Sequence, residues 1–284
     1  MKNKKSSSLP PLENNYIIYT LNSIIEQTKF IFLNKKDYFE NLCLNEITGE
    51  SGSGKTQLCL FLILKTILPK KLNCLESSCL YISTTKKLPT VRLYDLFNYY
   101  SKDLTENEKK FCLSNLFEKH LNYDEFEKFI SIDIESFIQR NNIQTIIIDS
   151  ITGICDIQFI NEKNETNYRE RTKFLKLCVT SFKRLILKYN LFFFCVNNVL
   201  SDFNNNYNSN DNNTNTNKGN SIKPCLGKYW ENSVNNRFLL QMKENFNTNE
   251  KIRYINVHFS KNYEPMYKIR FDIKKDQIIF YDNQ

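Results

Sequence analysis

Residues 47–56, Ile-Thr-Gly-Glu-Ser-Gly-Ser-Gly-Lys-Thr, restrict what this chain can fold into more than any other stretch. They fit G-x-x-x-x-G-K-[ST], the phosphate-binding P-loop. Gly49, Gly52 and Gly54 permit backbone angles and close approach that a Cβ would block. Between them, Glu50, Ser51 and Ser53 contribute N–H groups that curl round a phosphate chain, and the following helix adds its positive end. Lys55 places a point charge on the outer phosphates, and the Thr56 hydroxyl is a Mg²⁺ ligand. The flanks agree. Cys43, Leu44 and Ile47 read as a buried strand, and Leu58 to Leu68 as a buried helix. The chain has six glycines, and three of them fall in this loop, so the cluster is not background composition.

Length and charge narrow the remaining choices. A chain of 284 residues with 41% hydrophobic content can bury a large α/β core. No apolar run approaches the roughly 20 residues of a membrane span, and no membrane partner is expected. The first eleven residues are polar and carry no secretory pattern. Nine cysteines lie mostly in apolar runs (Cys59, Cys79, Cys178, Cys195), with no C-x-x-C pair and only two histidines. A zinc site is therefore not expected, and the pattern suits a reducing compartment. The net charge of +8 is unevenly placed. Arg169, Arg171, Lys173, Lys176, Lys183, Arg184 and Lys188 crowd into 168–189 against Glu170 alone. Such a helix is either a polyanion-binding face or a solvated surface in a Lys-rich chain.

Along the chain, residues 1–40 are expected to be a tail and linker, and 41–284 the core. Ser78 to Ser83 reads as a buried strand, Leu88 to Tyr100 as a helix, 102–110 as a charged connection, and Tyr123 to Arg140 as a helix. Thr145 to Ile148 reads as a strand ending at Asp149, where a carboxylate beside the phosphates holds the Mg²⁺ shell. Residues 151–167 read as a loop, 168–190 as the basic helix, and Leu191 to Val196 as a strand ending at Asn197-Asn198. Residues 204–220, with ten asparagines, read as a low-complexity, disordered loop. Strands alternating with helices predict a parallel sheet covered on both faces. Four strand-like segments after residue 235 predict an antiparallel extension.

Taken in order, these segments resemble the RecA-type recombinase family in its eukaryotic paralogue branch. The resemblance rests on Glu46 to Glu50 with Gly54-Lys55-Thr56-Gln57-Leu58, on Cys79 to Thr84 with Leu88-Pro89 and Arg92-Leu93, and on Ile146 to Ser150. Phe193 to Val199, Leu226-Gly227-Lys228-Tyr229-Trp230 and Asn236-Arg237 complete it. It implies ATP and Mg²⁺ as cofactors, with ATP held by residues 49–57 (Gln57 included) and the metal by Thr56 and Asp149. It further implies partnership with single-stranded or branched DNA and with other recombinase-family subunits, in the nucleus. The family's two DNA loops map to 152–168, leading into Arg169 and Arg171, and to the Asn-rich stretch, ending at Lys218, Lys223 and Lys228.

Departures from the pattern bear on activity. The family's catalytic Glu falls at Thr84-Thr85-Lys86, with Thr85 at the expected position. A Thr hydroxyl is no general base near neutral pH. The γ-phosphate-sensing Gln is Asn198 here. No N-terminal helical domain and no clear Phe-x-x-Ala tether are seen. The resulting expectation is an ATP-binding DNA-repair protein that assists homologous recombination with weak hydrolysis. An active DNA-dependent, strand-exchanging ATPase is the alternative. A P-loop small-molecule phosphotransferase is a third, disfavoured by the strand-rich C-terminal third and by the lack of a lid-like Arg cluster.

Overall fold

A computed structural model describes residues 29–160, 165–202, 221–245 and 250–281. The described chain opens with a short antiparallel hairpin, β1 (Phe30–Phe32) and β2 (Tyr38–Glu40). Ile31 and Phe39 point inward from it and are buried with the main core. β3 (Leu44–Gly49) follows and is buried along its whole length. The P-loop then leads into α1 (Lys55–Ile67), whose residues 58–64 are all buried. A helix apolar on every side has to lie inside the protein, and this one does.

β4 (Ser78–Ser83), α2 (Thr90–Tyr100), α3 (Glu106–Ser114), β5 (Leu116–His120) and α4 (Tyr123–Lys128) come next. The expected charged connection at 102–110 is in fact half helix. Thr105 and Glu108 form a reciprocal cap, with Glu108 N donating to Thr105 Oγ1 at 3.4 Å and Thr105 N to Glu108 Oε2 at 2.8 Å. The predicted single helix over 123–140 is broken by a π turn, Phe129–Asp133, between α4 and α5 (Ile134–Asn141).

β6 (Ile143–Asp149) ends at the predicted acid, and α6 (Ile151–Phe159) starts at once. Residues 151–159 are thus helical where a loop was expected. Ser150 caps the helix, its Oγ accepting from Gly153 N at 3.1 Å, and Ile151, Ile154, Cys155 and Phe159 bury one side of it. Tertiary burial outweighs the poor helix propensity of Gly153. α7 (Tyr168–Tyr189) is the basic helix, and β7 (Phe192–Asn197) follows. β8 (Val199–Asp202) and β9 (Ser221–Pro224) pair as a separate antiparallel ribbon. The Asn-rich stretch over 204–220 expected to be a loop, with Lys218, lies outside the described residues. α8 (Gly227–Glu231), β10 (Asn236–Asn245), β11 (Glu250–Phe259), β12 (Lys268–Ile273) and β13 (Ile278–Phe280) complete the chain.

Nine strands form the central sheet in the order β13-β12-β11-β10-β3-β7-β6-β4-β5. Neighbours from β5 to β10 are parallel, and β10 to β13 are antiparallel, as the sequence pattern predicts. The period-2 alternation of β7 assigns the two cores. Phe192, Phe194 and Val196 join the core with α1 and α2, while Phe193 and Cys195 join the core with α4 to α7. In such a sheet the ligand cleft lies beyond the carboxyl ends of the parallel strands. Gly49, Ser83, Asp149 and Asn197 are the ends of the four central ones, β3, β4, β6 and β7.

Candidate nucleotide site and nucleic-acid face

The P-loop backbone is held open by its glycines. Gly49 has φ +152° and lies under the β10 backbone, where a Cβ would stand 2.4 Å from the Leu240 carbonyl oxygen. Gly54 has φ +110° and packs on Ile273 and Phe271 of β12. The antiparallel extension therefore buttresses the loop. Lys55 Nζ donates to the carbonyls of Gly49 at 2.6 Å and Glu50 at 3.0 Å, which ties the ammonium to its own loop. Burial lowers its pKa, and the nearby Asp149 opposes the shift.

Thr56 Oγ1 donates to Asp149 Oδ2 at 2.9 Å, and the Tyr81 hydroxyl donates to the same oxygen at 2.9 Å. Burial and the Asp149 charge push the Tyr81 pKa upward, so it remains a donor. Sequence reasoning missed Tyr81 because a Tyr in a buried strand carries no local signal. These groups line a cavity of about 740 Å³ with Ser51, Gly52, Gln57, Thr85 and Arg92. Arg92 braces the wall. Its Nε donates to Gln57 Oε1 at 2.8 Å, and its guanidinium also reaches the carbonyls of Lys274 and Lys275 in the β12–β13 turn.

The residues fit a magnesium–triphosphate. An ammonium, a hydroxyl, a carboxylate and a loop of N–H groups face one cleft. Ser53 Oγ is buried beside them with no hydrogen-bond partner. Among the described residues no three His, Cys, Asp or Glu side chains gather to hold a metal by themselves. Mg²⁺ is usually held by one or two protein ligands plus substrate phosphates, and Thr56 with Asp149 is such a pair.

Thr85 lines the cavity, and residues 84–86 include no carboxylate. Its Cγ2 fills the space above Gly153, where a Cβ would lie only 2.3 Å away. Asp156, one turn further along α6, also lines the cavity. Sequence reasoning did not single it out, because the segment was read as a loop. Desolvation by its surroundings raises its pKa, and Arg171 opposes that.

Asn198 lines the cavity too. Its N–H donates to Thr152 Oγ1 at 3.0 Å, and its carbonyl accepts from Cys225 N at 2.9 Å. Next to it lies a buried polar cluster. Fully buried Glu46 on β3 accepts from Asn197 Nδ2 at 2.5 Å, Trp230 Nε1 at 2.8 Å and Arg237 Nε. Thr152 Oγ1 donates to Asn197 Oδ1 at 2.6 Å, and Asn197 Nδ2 also reaches the Cys225 carbonyl at 3.1 Å. One network thus joins the strand feeding the P-loop to α6, to the end of β7 and to α8.

The basic helix divides into two halves. Lys188 (2.6 Å) and Arg184 pair with Glu135 on α5, so that end serves packing. At the other end Arg169 is exposed, and the Arg171 guanidinium comes within 3.9 Å of where a Gly227 Cβ would be. Lys228, on that same short helix, is exposed, and Lys223 projects from β9. Arg171 and Lys228 are therefore neighbours, and the β8–β9 ribbon adjoins them through the Asn198–Cys225 bond.

The sequence matches the Rad51 family pattern over residues 33–273. The chain belongs to the Rad51 family. It is similar to the human DNA repair protein RAD51 homolog 2, 27% identical over 211 residues, which are 70% of this chain and 54% of that protein. It is equally similar to the DNA repair protein XRCC3 homolog of Arabidopsis thaliana, 27% identical over 213 residues, 71% of this chain and 69% of that one. The fission yeast DNA repair protein rhp57 is 25% identical over 242 residues, 77% of this chain and 68% of that one. The aligned part spans about half the length of the human relative. Equal identity to two differently named Rad51-family proteins singles out neither. Among the described residues, no helix is long and apolar enough to cross a membrane.

Proposed function

We propose that this chain is an ATP-binding recombinase paralogue of DNA repair. It binds single-stranded or branched DNA and partner subunits of its own family in the nucleus, and it turns ATP over weakly. The observation that carries this reading is the site's composition: a complete P-loop with Thr56 bonded to Asp149, and Thr85 where a carboxylate would be needed. Residues 49–57 hold the phosphates, Lys55 neutralises the outer ones, and Thr56 and Asp149 hold Mg²⁺. The bound cation would polarise the terminal phosphoryl group. The protein supplies position and charge, and lacks at residues 84–86 a group to take a proton from water. Arg169, Arg171, Lys223 and Lys228 provide phosphate contacts for DNA, together with Lys218.

One observation favours the second reading, an active DNA-dependent ATPase. Asp156 lines the cavity, with a carboxyl pKa shifted upward toward that of a working base. The two readings separate in one measurement of ATP binding and of turnover with and without single-stranded DNA. Tight binding with slow, DNA-indifferent turnover is the expected result. Fast turnover abolished by Asp156→Asn would establish the second reading, and absence of ATP binding would refute both.

A further inference from the structure

Two cation–aromatic pairs lie along the outer side of α7. The Arg171 guanidinium sits over the Tyr168 ring, 5.0 Å from its centroid, and Lys176 Nζ lies 5.8 Å from the Tyr229 ring. Tyr229 is half-buried, but Tyr168 is 67% exposed even with Arg171 on it. One face of the Tyr168 ring therefore carries a cation, and the other is open to solvent. Exposed Arg169 adjoins it in sequence. Among the described residues, the other large exposed aromatic side chains, Phe30, Phe32, Tyr94 and Phe111, have no cation over their rings.

An aromatic face backed by a guanidinium and flanked by cations is the combination that holds an unpaired nucleobase. The base stacks on the ring while the neighbouring phosphates meet the arginines. A paired base keeps its faces inside the duplex stack and cannot use the platform. We propose that Tyr168 is a base-stacking platform that makes this face selective for single strands. The inference rests on the DNA-binding reading above: the arginines supply affinity for any phosphate backbone, and Tyr168 supplies the preference for unpaired bases.

The test is binding by fluorescence anisotropy to oligo-dT, to an abasic oligomer of equal length and to a duplex, each across a salt series. Base–aromatic stacking predicts that Tyr168→Ala weakens oligo-dT binding by roughly 5- to 150-fold. Abasic and duplex binding should change less than about twofold, and the salt slope should not change, since no phosphate contact is lost. Tyr168→Phe should behave like wild type. In Tyr168→Trp the new indole should be quenched by oligo-dT and not by the abasic oligomer. The chain's single native tryptophan, Trp230, is buried and leaves a steady background.

Equal weakening for dT and abasic oligomers would overturn the stacking role and leave only a structural one. Unaltered dT binding in Tyr168→Ala would also overturn it, and then neutralising Arg169 and Arg171 together decides the fate of the wider reading. Loss of affinity with a flattened salt slope would keep the phosphate face without the platform. No effect in that double variant would remove the DNA-binding reading itself.

Discussion

Replacing Arg237 by Met should test how much the fold depends on the charge buried beneath the P-loop strand. Arg237 is 3% exposed and Glu46 is fully buried. Among the described residues, the substitution removes the one cation that Glu46 touches and leaves its carboxylate with two neutral donors, Asn197 and Trp230. The second partner of Arg237, Glu231 at 3.0 Å, is partly exposed and is re-solvated at little cost. The penalty is therefore that of an uncompensated buried charge, about 3–5 kcal/mol, which lowers the melting temperature by roughly 5–15 °C. Trp230 donates to Glu46 and is the sole tryptophan, so its emission reports the transition directly in urea. In the double variant Glu46→Gln/Arg237→Met no buried charge is left, and the neutral amide still accepts from Trp230. That variant should unfold later than Arg237→Met alone. A cost below about 1 kcal/mol for Arg237→Met, or strictly additive single effects, would refute the argument.

Lys55→Ala should abolish measurable affinity for ATP analogues while leaving the urea midpoint nearly unchanged, because the ammonium's protein contacts are two loop carbonyls. Gly153→Ala should cost about 1–3 kcal/mol by overpacking against Thr85 Cγ2 and lower nucleotide affinity by moving α6. Adding Thr85→Ser, which deletes that methyl, should restore both in denaturation and binding assays. Thr85→Glu places a carboxylate in the cavity wall and should raise ATP turnover by on the order of 10²–10⁴-fold if the phosphate geometry is retained. An unchanged rate in a variant that still binds ATP would show that geometry, not the missing base, limits hydrolysis.

The nucleotide half of the site is legible locally. Gly49, Gly52, Gly54, Lys55, Thr56 and Asp149 are each marked by residue type and spacing, and the Thr56–Asp149 bond joins two motifs that the sequence had already paired. The strands β4, β6 and β7 are legible because each is a short apolar run with clear ends. What escaped was decided at long range. Helix α6 forms around Gly153 because Ile151, Ile154 and Cys155 find a core to enter, and propensity alone argues against it. The seven cations of α7 look equivalent in sequence. Only the fold brings Glu135 from α5 to Arg184 and Lys188, leaves Arg169 exposed and sets Arg171 half-buried beside Tyr168 and Gly227. The Glu46 cluster unites residues separated by up to 191 positions, and no local pattern announces such a pairing.

The two glycines that shape the phosphate loop rest on strands made long after it. Gly49 lies beneath the Leu240 carbonyl, and Gly54 lies against Phe271 and Ile273. During synthesis, which proceeds from the N-terminus, the loop emerges early yet has nothing to lean on. β3 meanwhile presents an open edge, the kind that recruits other chains, until β10 arrives to cover it. Support for the loop and closure of that edge thus arrive together. A product that stops before β10 leaves the phosphate loop without its support and the β3 edge uncovered at once.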